Sequence, residues 1–237
     1  MKKFIKPYKK EFDYSYTSGA SVTIELLETR PDLVECIYIH SSFNRPDEVI
    51  KLCNRHGIPY IFNDSMFKRI NQKENSYVLG IFRKFTSRID PGATHVVLVN
   101  PADMGNLGTI IRTLTGFGIN DLAIITPSAD IWNPKTIRAS MGSFFHMNFR
   151  HYDDINDYTG AFPEHRVYTF MTDGEVELCP GIFPERQPVS LVFGNEATGL
   201  GERFRHMGTG IKIPQSMSVD SLNLSVAVAV GVFAYKL

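Results

Sequence analysis

The sequence leaves little room for disulfide or metal chemistry. Its three cysteines, Cys36, Cys53 and Cys179, lie far apart; they form no CxxC pair and build no disulfide framework. The seven histidines fall into no HExxH or related spacing, so no metal is expected. The longest apolar run, Val226 to Tyr235, is about half of the roughly 20 residues that a membrane-spanning helix needs. Lysines crowd the N-terminus without an apolar run behind them, and a secretory signal is not expected. No internal repeat or low-complexity stretch stands out. These absences lead to the expectation of a soluble, reduced, cytoplasmic protein with no membrane partner.

What is present fits a packed α/β protein. Hydrophobic residues make up 43% of the 237 and charged residues 21%, which permits a buried core and excludes wholesale disorder. The net charge of zero hides an asymmetry. Residues 1–90 carry 15 Lys and Arg against 11 Asp and Glu, and residues 91–237 carry 10 against 14. Lys2, Lys3, Lys6, Lys9 and Lys10 form a basic arm. Such an arm is either an electrostatic footprint for nucleic acid or a solvated terminus, and charge alone leaves both open.

Periodicity divides the chain near residue 90. Before it, Val22 to Leu27 suits a helix, Val34 to Ile39 a strand, Glu48 to His56 a helix ending at Gly57, and Ile58 to Phe62 a strand. This alternation predicts a small α/β domain over residues 1–90 with a mainly parallel sheet. The turn-rich stretch Ser87 to Gly92 ends the linker. From residue 91 onward the rhythm strengthens. His95 to Val99 reads as a strand, and Leu107, Ile110, Ile111 and Leu114 share one helical face that Gly118 closes. Leu122 to Ile125, Arg166 to Phe170, Val189 to Phe193 and Gly210 to Ile213 are further strands, and Pro134 to Met141 is a helix. The last helix, from about Ser221, is apolar or small all round, so it is buried in its domain or against a second subunit.

Open parallel sheets bind ligands beyond the carboxyl ends of their strands, and three loops there carry unusual residues. The first runs Asn100-Pro101-Ala102-Asp103-Met104-Gly105-Asn106-Leu107-Gly108, with Arg112 pointing away from the apolar stripe. Arg112 suits a phosphate, or is an ordinary exposed arginine. The loop has neither the GxGxxG spacing of a dinucleotide fold nor the Gly-Lys-Ser/Thr of a P-loop, which argues against a nucleotide-dependent oxidoreductase. The second, Gly194-Asn195-Glu196-Ala197-Thr198-Gly199-Leu200, puts a carboxylate at a strand end. Glu196 could pair with Arg112 or serve a turn or a helix dipole. In the third, Ile213 to Ser225, Asp220 or Ser221 is the expected N-cap. Asn223, inside a helix with no wet face, then needs buried partners.

Taken together, Asn100-Pro101 through Arg112 to Gly118, Asn133-Pro134-Lys135 with Arg138-Ala139-Ser140-Met141-Gly142, Leu191 to Glu196 with Gly199-Leu200, and Ile213-Pro214 with Ser221 to Val226 resemble the motifs of the SpoU/TrmH family. These are RNA ribose 2′-O-methyltransferases of the SPOUT superfamily. The likeness spans about residues 93–237, and the N-terminal part is similar in layout to the substrate-binding domain that often precedes it. The resemblance implies an α/β domain with a mainly parallel sheet and a trefoil knot, an exception to the rule against knots. It further implies S-adenosylmethionine as cofactor, contacts to it at Gly194, Ile213 and Leu222, a homodimer, and ribosomal or transfer RNA as partner. A catalytically weak RNA-binding or assembly factor of the same fold is the alternative.

The resemblance also makes Arg112 the central catalytic residue. Because a guanidinium stays protonated, it is expected to clamp the target phosphate and stabilise the developing alkoxide. Glu196 and Asn223 are expected to orient the arginine and the ribose, with Ser221 and Asn100 shaping the pocket. Arg83, Lys84, Arg88 and Arg138 join the basic arm as candidate RNA contacts. Two positions depart from the family pattern. Ala197 stands where glycine often follows the glutamate, and Met217 stands where glycine is common before Ser-Leu-Asn.

Overall fold

The computed structural model describes residues 6–70, 76–184, 187–216 and 218–237; Lys2, Lys3 and Met217 lie outside them. The chain gathers into two compact units, Met1–Phe85 with Asp130–His146, and Thr86–Ala129 with Met147–Leu237. A single cut near residue 90 therefore does not describe the division, because the chain changes unit three times.

The first unit contains β1 (Tyr14–Tyr16), α1 (Ala20–Thr29), β2 (Val34–Ile39), α2 (Pro46–His56), β3 (Tyr60–Phe62), α3 (Asp64–Arg69) and β4 (Val78–Arg83). Strand β2 shows why its sequence makes a strand. Ile37 and Ile39 face a core with Leu27, Val49 and Leu52, while Tyr38 between them faces Leu79, Ile81 and Phe67, as a period of two requires. Helix α2 opens on Pro46, Asp47 and Glu48 and closes on Arg55 and His56, so its charges oppose its macrodipole at both ends. The expected parallel sheet is corrected here. The strand order is β1-β4-β2-β3, and only β2 with β3 is parallel. Strand β4 enters between β1 and β2 and runs against both.

Segment 130–146 belongs to this unit through specific contacts. Tyr8 Oη donates to Asp130 Oδ2 over 2.5 Å, and Ser15 Oγ donates to the Trp132 carbonyl over 2.6 Å. Phe85 meets Trp132 edge-on at 4.9 Å and Phe82 meets Phe145 at 5.2 Å. Those rings anchor a motif that the sequence places among catalytic-domain segments.

The second unit holds β5 (His95–Val99), α4 (Met104–Gly116), β6 (Asp121–Ile125), β7 (Asn148–Tyr152), α6 (Ile155–Ala161) and β8 (Arg166–Phe170). It continues with β9 (Val176–Glu177), β10 (Val189–Phe193), β11 (Thr209–Lys212) and α7 (Leu224–Lys236), while α5 (Pro134–Ala139) lies in segment 130–146. The sheet order is β7-β6-β5-β10-β8-β11-β9, and each pairing is parallel. Strands β5, β6 and β10 are buried along their whole length, which explains their unbroken apolar sequences. Leu107, Ile110, Ile111 and Leu114 of α4 are fully buried. Each contributes roughly 1.5–3 kcal/mol of burial.

Helices α4 and α7 lie side by side and run the same way. Asn106 meets Asn223 at their amino ends, and Phe117 meets Phe233 at 6.3 Å at their carboxyl ends. Gly231 lets α7 approach the sheet closely, because a Cβ there would stand 2.8 Å from the Phe170 ring. The outer side of α7 is not covered by the described residues. Val226 is 47% exposed and Phe233 52%.

Candidate functional site

A cavity of about 270 Å³ opens beyond the carboxyl ends of β8 and β10 and is closed by the start of α7. Gly194, Ile213 and Leu222, the cofactor contacts that the family resemblance implies, all line it. Ser221 and Glu196 line it too. Phe170 and Phe193 form its apolar wall, their rings stacked at 4.2 Å and 16°. Gly194 is needed for the loop to close, since a Cβ there would fall 2.2 Å from the Gly199 carbonyl carbon.

The structure corrects the expected role of Glu196. Its carboxylate does not pair with Arg112. It accepts from the Ala102 N–H at 2.9 Å, the Asp103 N–H at 3.1 Å and Asn106 Nδ2 at 3.2 Å. These donors sit at the amino end of α4, where the helix dipole also favours a negative charge. Burial acts to raise the Glu196 carboxyl, but the hydrogen bonds outweigh it and hold the group below its ordinary value. Glu196 thus ties the second loop to the first.

Asn223 is also corrected. Helix α7 starts at Leu224, and Asn223 itself is the N-cap in place of Asp220 or Ser221. Its Oδ1 accepts from the Ser225 N–H at 2.8 Å and from Ser225 Oγ at 2.7 Å. The side chain is exposed rather than buried, and its Nδ2 donates to Asn106 Oδ1 at 3.1 Å. Asn106, which the sequence reading passed over, therefore links Glu196 to Asn223 and joins all three loops. Its position in the first turn of α4, three residues after the Asp103 cap, is the signal that would have found it.

Asn100 takes up a left-handed conformation with φ 52°, which asparagine tolerates better than most residues. It does not line the cavity; its carbonyl accepts from Asn195 Nδ2 at 2.7 Å, so its effect on the pocket is indirect. Arg112 is exposed on α4 and is not among the cavity residues. Among the described residues it makes no ion pair. At the rim, Asp173 is held by Arg205, and that bond keeps its carboxyl below the ordinary value.

The basic candidates divide by what already occupies them. Lys84 Nζ donates to the Lys10 carbonyl at 2.8 Å and sits 4.8 Å from the Tyr8 ring centre. Burial pulls its pKa down. Arg83 Nη2 donates to the Asp32 carbonyl at 3.1 Å, and Lys9 lies 3.6 Å from Glu11. Lys6, Lys10 and Arg88 are exposed, and Arg138 is half-buried in the last turn of α5.

A family model described as the SpoU rRNA methylase family matches residues 93–233. An uncharacterised tRNA/rRNA methyltransferase of Synechocystis is 30% identical over 60% of this chain and 51% of its own length. The 23S rRNA (guanosine(2553)-2′-O)-methyltransferase of Bacillus subtilis is 24% identical over 73% of this chain and 71% of its own. The chain thus spans about half of the first relative and more of the second. Among solved structures, an AdoMet-bound rRNA methyltransferase from Sinorhizobium meliloti superposes with TM-score 0.78 at 26% identity. That match covers 94% of this chain and 86% of the other. The SpoU methyltransferase AviRb from Streptomyces viridochromogenes, in complex with AdoMet, gives 0.81 at 19% identity over 94% and 89%, a likeness of fold.

Proposed function

The chain belongs to the SpoU rRNA methylase family, and on that footing we propose that it methylates a ribose 2′-hydroxyl of ribosomal or transfer RNA. S-adenosylmethionine, bound in both of those solved structures, supplies an electrophilic methyl group on a sulfonium. The cavity suits that molecule. The Phe170 and Phe193 wall offers an apolar face, and Gly194, Ile213 and Leu222 line the rest of it with their neighbours.

The observation that carries the reading is the Glu196–Asn106–Asn223 chain of hydrogen bonds beside the cavity. It fixes the three loops relative to one another, and holding reactants in line contributes roughly 7–11 kcal/mol to such a transfer. Arg112 clamps the phosphate next to the reacting ribose and stabilises negative charge on its oxygen. Ser221 and Asn223 orient the sugar from the start of α7, and the basic residues that remain exposed position RNA without reading its sequence. The chain acts as a homodimer, in which a second copy covers Val226 and Phe233. Arg112 then serves the cavity mouth of its own chain or of the partner.

The test is mass-spectrometric mapping of methylated riboses in RNA from cells with the protein, without it, and with only Arg112→Ala. One ribose that loses its methyl group in the second and third samples supports the reading. An unchanged map overturns it.

A further inference from the structure

Four buried polar side chains of the second unit form a continuous chain that methyl transfer does not use. His95 opens β5, Ser190 is the second residue of β10, His165 precedes β8 and Tyr158 lies on α6. They therefore gather at the amino ends of the strands, opposite the cavity. His95 Nδ1 is 2.9 Å from Tyr158 Oη, Tyr158 Oη is 2.5 Å from Ser190 Oγ, and Ser190 Oγ is 3.0 Å from His165 Nδ1. The outer ring nitrogens meet main-chain carbonyls, His95 Nε2 that of Asp90 at 2.8 Å and His165 Nε2 that of Pro91 at 2.9 Å. His95, Tyr158 and Ser190 are fully buried, and His165 is 7% exposed.

Counting hydrogens gives the inference. The five contacts need one hydrogen each. A carbonyl only accepts, so both Nε2 atoms must carry hydrogen. Tyr158 and Ser190 bring one hydrogen apiece. With both imidazoles neutral, one contact is left with two lone pairs facing each other. A single extra proton on an Nδ1 closes the set, and the whole chain then points one way.

We propose that this cluster is a one-proton site, in which His165 is held as imidazolium while His95 stays neutral. His165 Nδ1–H then donates to Ser190 Oγ, Ser190 O–H to Tyr158 Oη, and Tyr158 O–H to His95 Nδ1. The choice between the rings follows from their surroundings. His95 is sealed beneath Phe162, whose ring centre lies 4.6 Å away. Burial first, together with the nearby His165, pushes its pKa down to about 4 despite the favourable Asp90. Asp121 of β6 accepts from the Asp90 N–H. Tyr152 of β7 packs on Tyr158 with a hydroxyl that has no partner among the described residues. Glu164 and Arg166 flank His165 and are exposed.

His95, held low by burial, contributes stability that is present above the ordinary histidine value of about 6.5 and fades as pH falls toward 4. By the hydrogen count, the amino ends of β5, β8 and β10 are tied most firmly with one proton bound.

The experiment is a pH titration of the full chain by two-bond proton–nitrogen correlation of the imidazole rings, assigned with His95→Gln and His165→Gln. At pH 7 His165 should carry hydrogen on both nitrogens, and His95 should remain an Nε2–H tautomer down to pH 5. Tyr158→Phe leaves three contacts with three hydrogens, so His165 Nδ1 should then lose its hydrogen at pH 7. Ser190→Ala gives a second route to the same loss if the first variant does not fold. A wild-type His165 with a bare Nδ1 at pH 7, or the same hydrogen pattern in a folded variant, overturns the proposal.

Discussion

Asn223 Nδ2 donates to Asn106 Oδ1 over 3.1 Å, across 117 positions of sequence. The second hand of Asn106 reaches Glu196 at 3.2 Å. One amide therefore uses its donor and its acceptor on two different loops, which a carboxylate of the same shape cannot do.

Asn106→Asp should break the link to Glu196 and put two carboxylates side by side. Misplacing reacting groups by about 1 Å costs on the order of 10²-fold, so kcat is expected to fall by about that factor with a smaller change in KM. Steady-state kinetics with the identified RNA decide it, and a wild-type kcat would remove the positioning role of Asn106.

Arg112→Ala should separate chemistry from folding. Because the side chain is exposed and has no ion pair among the described residues, stability should change by no more than about 0.5 kcal/mol. Turnover should be abolished, with cofactor affinity by calorimetry close to that of the parent. Retained turnover ends the proposed role of the arginine.

The Glu196 carboxyl is held low by its hydrogen bonds. Its contribution to stability is therefore present above the ordinary glutamate value of about 4.3 and is lost as pH falls through the lower folded value. Glu196→Gln should melt below the parent at pH 7, and the gap should close in acid. A gap independent of pH would show that the charge is not what matters.

Gly194→Ala tests the closure of the cavity. Its Cβ would meet the Gly199 main chain at 2.2 Å, and overpacking of this kind costs typically 1–3 kcal/mol. Weaker cofactor binding and a lower melting temperature are expected together. Unchanged calorimetry would mean that the loop closes differently.

Phe233→Glu should yield monomers on sedimentation, because it charges the uncovered side of α7. Mixing Arg112→Ala with Asn223→Ala chains then locates the arginine. Restored activity in mixed dimers places it across the interface, and none places it within its own chain.

Much of the fold could be read from the sequence where one local rule decides. Strands β2, β5, β8 and β10 match their apolar runs residue for residue, and α4 buries the four residues that share its stripe. Strands β1, β4 and β7 and helix α6 were not found, because their burial depends on neighbours distant in sequence. The start of α7 was misread since Asp220, Ser221 and Asn223 all suit an N-cap by type, and only the bond to Ser225 chooses among them. The motifs contain Gly194, Ile213, Ser221 and Leu222, which the fold brings to one cavity, but they do not reveal the partners of Glu196 and Asn223. Nothing in the spacing of Glu196 and Asn106 says that they meet.

The triple exchange of the chain between its units has a consequence for synthesis and inheritance. A ribosome that has released only the leading 85 residues has not yet made Trp132 and Phe145, on which Phe82 and Phe85 pack. The leading unit must wait for its missing piece, and a gene fusion that borrows it as a prefix would inherit it unfinished.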